Sequence, residues 1–174
     1  MISKHHRFPG AAALGLVALA LLACGSAHAQ QPIPAQDFVT QTAVANMFGV
    51  ESATLALHKS SSPAIKDFAH RLADDHAAAT SSLRRIIAKR SDIALPDRPD
   101  GKHLDLLRDL ADKQGADFDR AYVDAQRSAH HESTALMERY ASEGTDPELK
   151  GFAAQTLPVF RELDRKAREL PATP

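Results

Sequence analysis

The sequence predicts an all-α fold, a bundle of four long helices with a short extra helix in a long connection between the second and third. Two observations carry that expectation. Apolar residues recur at three- and four-residue steps through four long stretches, and nowhere do they alternate as in a half-buried strand. Ser62-Pro63 and Asp146-Pro147 supply cap-plus-proline starts for two of the helices. Four amphipathic helices bury their stripes best against one another.

The chain begins with Lys4, His5, His6 and Arg7, an apolar run from Ala11 to Ala23, and then Ala27-His28-Ala29. A basic start, a short apolar run and a small-x-small ending make a secretory signal peptide, 1–29, and the run is too short to persist as a membrane span. Cleavage after Ala29 leaves a periplasmic or secreted chain starting at Gln30. Leu21-Leu22-Ala23-Cys24-Gly25 offers another route, since it resembles a lipobox. Lipidation of Cys24 would anchor the protein to the envelope, and only then does the sequence imply a membrane partner.

After cleavage roughly 145 residues remain, enough for one domain with a real core, expected over 36–170. Gln30 to Ala35, with Pro32 and Pro34, reads as an extended lead-in. The first long helix is expected from about Gln36 to Ser60, with Val44, Phe48, Glu51, Leu55 and His58 along one face. The second, from Pro63 to about Arg90, carries Ile65, Phe68, Leu72, His76, Ala79, Leu83 and Ile86. Arg84, Arg85, Lys89 and Arg90 collect at its end, where cations complement the helix dipole without any ligand.

Pro96, Pro99 and Gly101 break the pattern, and a short helix follows from about Lys102 to Lys113, closed by Gly115. The second helix should be about 40 Å long. The connection can span that length, giving a crossover, or fold back on itself in an up-and-down bundle. The third long helix, about Ala116 to Glu143, presents Phe118, Tyr122, Gln126, Ala129, His130, Ser133, Met137 and Tyr140, with Gly144 as its C-cap residue. The fourth runs from Pro147 to Leu170 through Leu149, Phe152, Thr156, Phe160, Leu163 and Ala167. Pro158 inside it removes a backbone donor and should kink it.

Composition excludes several functions. With 21 Lys plus Arg against 22 Asp plus Glu, no global field draws nucleic acid, and with no Trp and two Tyr, stacking platforms for bases are scarce. Cys24 is the only cysteine and leaves with the signal, so the mature domain has no disulfide, thiolate nucleophile or cysteine metal site. No glycine-rich phosphate loop is present.

Three ionisable residues interrupt the stripes near mid-helix: Glu51, His76 and His130. Buried polar groups need partners, so the three are expected to satisfy one another. Two arrangements do so: a structural polar layer, or a single transition-metal ion, with zinc, iron and copper all accepting imidazole and carboxylate. A di-iron site needs Glu-x-x-His pairs, but Ala73 and Arg127 stand three before His76 and His130. His131 and Glu132 should turn outward, His70 and His103 read as surface residues, and His58 joins the layer only if the register allows.

Asp75-His76, Phe118-Asp119-Arg120-Ala121-Tyr122, Ala129-His130 and Leu157-Pro158 together resemble the exported, ferritin-like helical family catalogued as domain of unknown function 4142. The resemblance spans roughly Asp37 to Leu170 and implies a bundle with a crossover. It marks Glu51, His76 and His130 as matching positions, and implies a further histidine where this chain has Leu163. Without that histidine, Glu162 would have to swing inward to complete a metal site.

The sequence therefore points to an exported, non-enzymatic binding, interaction or stress-protection protein of the envelope. Its partner would be an unidentified envelope protein or small ligand, with a homodimer through outer helix faces left open. The alternative is a metal-binding bundle with a sequestration or redox role.

Overall fold

A computed structural model describes residues 31–171, and among these all regular structure is helical. The elements are α1 (Ala35–Lys59), α2 (Pro63–Ile87), α3 (Gly101–Asp112), α4 (Gly115–Glu143) and α5 (Pro147–Glu169). None of the described helices is long and apolar enough to cross a membrane.

Local chemistry sets the helix starts. Ser62, Asp100 and Asp146 accept hydrogen bonds from Ile65, His103 and Leu149 backbone N–H groups, capping α2, α3 and α5. Pro63 and Pro147 sit in the first turn, where a missing N–H costs nothing. Gly115, the first residue of α4, has φ +53°, a conformation glycine reaches without strain. Gly144 is the C-cap residue of α4, as expected. Its φ is −57°, and a Cβ there would lie 2.5 Å from the Tyr140 carbonyl oxygen and 2.6 Å from the Tyr140 ring. α5 continues through Pro158, which is exposed.

α1 and α2 form one extensive hairpin and α4 and α5 another, with α1 beside α4 and α2 beside α5. Three contacts fix the directions. At one end Arg90, just past α2, pairs with Asp146 at the start of α5. At the other end Lys59, closing α1, donates to the Lys113 carbonyl at 2.8 Å. The Gln36 side chain exchanges two hydrogen bonds with the Ala94 backbone, at 2.8 and 2.9 Å. The α2–α4 connection thus leaves from beside the start of α1 and arrives beside its end. It is the full-length crossover, and it makes α2 and α4 parallel.

α3 lies over α1 and α4 on the way. The core is aromatic toward both ends. Phe38 stacks on Tyr140 at 3.8 Å and meets Phe152 edge-on near one end. Phe118 stacks on Tyr122, which meets Phe68 edge-on, near the other. Between them the packing turns polar.

Candidate functional site: a buried imidazole pair

His76 of α2 and His130 of α4 face each other across the boundary between the two hairpins. Both are 2% exposed, and their Nε2 atoms are 3.5 Å apart. They meet because α2 and α4 are parallel and each histidine lies near the middle of its helix. Phe160 covers the His76 ring at 5.1 Å and Phe68 meets the His130 ring edge-on at 5.8 Å.

Each outer nitrogen is held from behind. His130 Nδ1 lies 2.8 Å from the Gln126 carbonyl oxygen, which only accepts, so Nδ1 carries the hydrogen and Nε2 keeps a lone pair. His76 Nδ1 lies 2.9 Å from Asn46 Oδ1 on α1. The network closes through Gln126 Nε2, which donates to Ser52 Oγ at 2.9 Å, and Ser52 Oγ, which donates to the Gly49 carbonyl at 3.1 Å.

Gly49 gives the His76 ring its place. A Cβ there would sit 2.7 Å from His76 Cγ and Cδ2, far inside van der Waals contact.

Burial disfavours the charged form of both rings. It pushes His76 down to about 3, with neighbouring His130 adding to the effect. His130 is also lowered, burial outweighing the Gln126 carbonyl and Asp164, which act the other way. Both are neutral imidazoles at pH 7, the form that ligates metal.

Glu51 does not join them. It is exposed, lining an open groove between α1 and α3 with Leu55, Leu107 and Arg108. Its mid-helix height suits the layer, but it lies two residues, about 200° around the helix, from Gly49. The stripe Val44–Phe48–Glu51–Leu55 is a second apolar face, covered by the crossover helix: Phe48 packs edge-on against His103 at 5.2 Å. His58, at the end of that stripe, is exposed.

On α5, Leu163 is fully buried and apolar where the resemblance implied a histidine. Glu162 has not swung inward; Arg165 and Lys166 pair with it, and Arg165 holds its carboxyl below the usual range. The buried carboxylate near the pair is Asp164, 5% exposed. Arg168 takes one of its oxygens, and the other has no hydrogen-bond partner among the described residues.

Asn46, Gly49, Ser52 and Asp164 carry the site but did not stand out in the sequence. Thr42, Asn46, Gly49, Ser52, Ala53 and Ala56 share one small, polar face of α1, and that spacing is the signal that marks it. Among the described residues, no three His, Cys, Asp or Glu side chains converge on one cation position.

A family model described as "Domain of unknown function (DUF4142)" matches residues 23–170. The chain belongs to this family. The match agrees with the resemblance read from Asp75-His76, Phe118 to Tyr122, Ala129-His130 and Leu157-Pro158. The fold is similar to a solved structure described as "CopM in the Cu(II)-bound form", with TM-score 0.66 and 15% identity over 80% of this chain and 96% of that one. At that identity the likeness concerns the helical fold alone. No curated protein sequence matches the chain.

Proposed function

We propose that this chain is an exported envelope protein whose helical bundle holds a transition-metal ion between His76 and His130. The observation that carries the reading is two buried, neutral imidazoles with facing Nε2 atoms 3.5 Å apart. Imidazole is a general ligand for zinc, copper, iron and nickel. The copper bound to CopM is compatible with this reading, in a protein of similar helical architecture. Export rests on Lys4–Arg7, the apolar run and Ala27-His28-Ala29, with Cys24 lipidation as its variant form.

One observation favours the reading without metal, an interaction protein with a structural polar layer. If the Asn46 amide turns over, its NH2 donates to His76 Nδ1 and His76 Nε2–H donates to His130. Every imidazole nitrogen is then satisfied. Metal analysis of the untagged protein, purified from the periplasm and after reconstitution with zinc, iron or copper, separates the two. Metal binding predicts up to one ion per chain, lost in the His76→Ala, His130→Ala double variant. Metal equal in both proteins, or none in either, contradicts it.

A further inference from the structure

Where α3 starts over α1 and α4, the crossover leaves a hollow. Its floor is apolar, made by buried Val44 and half-buried Ala45, Ala129 and Leu136, and its rim carries Lys102 of α3 and Glu132 of α4. We infer that this hollow binds a free α-amino acid with a small aliphatic side chain, its carboxylate against Lys102 and its ammonium against Glu132. The lining contains neither His76 nor His130, so the inference stands apart from the metal reading.

Charge selects the ligand class. Lys102 Nζ lies 2.7 Å from Glu132 Oε2, and both side chains are more than half exposed. An ion pair so open to water contributes little to stability, so a ligand can part it at small cost. The ligand then meets one cation and one anion a short distance apart. A simple amine would leave Lys102 unpaired, and a simple acid would leave Glu132 unpaired. An α-amino acid satisfies both. Its nitrogen and carboxyl carbon are joined through one carbon and lie about 2.5 Å apart, close to the 2.7 Å of the pair itself. An amine at the far end of an extended chain sits too far from the carboxylate to match.

Glu132 is already arranged for an ammonium. Ser128 Oγ donates to its Oε1 at 3.1 Å, and Lys102 donates to its Oε2. These hydrogen bonds, from Lys102 first and Ser128 second, hold its carboxyl below the usual range, so it is ionised at pH 7. A side chain held in place beforehand lowers the ordering cost of binding.

The walls are held as well. His103, expected at the surface, has a side chain only 15% exposed. Its Nδ1 lies 2.6 Å from Asp100 Oδ1, which also accepts from the His103 backbone N–H at 2.9 Å. Phe48 meets the ring edge-on at 5.2 Å. Nδ1–H therefore donates to the carboxylate, and Nε2 is the polar atom the ring can offer a ligand. Ser133, 7% exposed, adds a hydroxyl to the lining.

Size and floor narrow the class further. The hollow holds about 210 Å³, below the roughly 300–1,000 Å³ of drug-sized ligand pockets. That suits one amino acid better than a peptide. Val44, Ala45, Ala129 and Leu136 offer an aliphatic side chain apolar surface to cover. Because Lys102 belongs to the crossover helix and Glu132 to α4, the bound amino acid would also tie α3 to α4.

The test titrates the untagged mature protein with L-valine and L-leucine, followed by calorimetry and by 1H–15N NMR of the backbone amides. Isobutylamine, isobutyrate and 4-aminobutyrate are the comparison probes: an amine alone, an acid alone, and a zwitterion with separated charges. Saturable binding of valine or leucine at one per chain is expected, with amide shifts centred on residues 44–45, 100–103 and 129–136. The comparison probes should bind at least tenfold more weakly. Lys102→Ala and Glu132→Ala should each weaken amino-acid binding by about tenfold or more, since each removes a hydrogen bond to a charged group. Both positions are exposed, so the fold should survive. Arg161→Ala, which opens the ion pair with Glu138 elsewhere on α4, should leave the affinity unchanged.

Should a variant not fold, the wild-type shifts and the comparison probes decide. No saturable shift with either amino acid would overturn the inference, as would isobutylamine or isobutyrate binding as tightly. Affinity unaltered in both Lys102→Ala and Glu132→Ala would put the ligand elsewhere and overturn it equally. Each of these results leaves the metal reading, which rests on His76 and His130, untouched.

Discussion

The two ends of the bundle and its middle are built on opposite principles. At the ends, large rings fill space: Phe38, Tyr140 and Phe152 at one, Phe68, Phe118 and Tyr122 at the other. In the middle, α1 contributes Asn46, Gly49 and Ser52, and the facing helices contribute His76, Gln126 and His130. A polar layer adds little net stability, because its hydrogen bonds mostly replace those made to water. On this division the aromatic ends, more than the polar middle, should hold the fold.

The comparison breaks first if the ends do not dominate stability. Phe38→Ala removes a stacked and an edge-on ring contact, and should destabilise the protein by about 3–5 kcal/mol in denaturant unfolding. Less than about 1 kcal/mol would show that the ends are not the main support.

Gly49→Ala probes the middle through an inverted sign. In an unconstrained helix interior the change stabilises by up to about 1 kcal/mol. Here the methyl would strike the His76 ring, so a loss of about 2 kcal/mol is expected. Combining it with His76→Ala should recover part of that loss, a non-additivity visible in a double-mutant cycle.

Acid should act through the same layer. Burial holds both folded-state histidines below the unfolded value of about 6.5, so as the pH falls the unfolded chain takes up protons first. Stability is then lost below about pH 6.5, by about 1.4 kcal/mol per pH unit for each histidine that stays neutral while folded. Unfolding between pH 7 and 5 should show this slope, and His76→Gln should reduce it.

The smallest effect sharpens the boundary of the site. Glu51→Gln, on the exposed groove side of α1, should change stability by less than about 0.5 kcal/mol and leave metal content unaltered. A large effect would return Glu51 to the centre.

The sequence made the architecture readable because α2, α4 and α5 each carry one apolar stripe with few competing residues. The histidines were legible for the same reason: an imidazole among Phe68, Leu72, Ala79 and Leu83 has nowhere else to point. α1 misled because it is apolar on two sides. Its larger residues, Val44, Phe48 and Leu55, face the crossover helix, while its smaller ones face the bundle. Residue size pulled the expected stripe toward the wrong neighbour, and Glu51 with it. Gly49 and Asn46 escaped notice because their meaning depends on the ring opposite, which periodicity along one helix does not reveal. Asp164 escaped for a related reason, beside Leu163 and within a run of charges that reads as a solvated face.

The account depends most directly on two imidazoles meeting, neutral and dry, at the centre of the bundle. Long-range 1H–15N NMR of the metal-free protein through a pH titration tests that claim. His76 should remain neutral at pH 5, and His130, with hydrogen on Nδ1, should take up its proton only below the ordinary imidazole range. Titration of His76 or His130 within or above the ordinary imidazole range would contradict it.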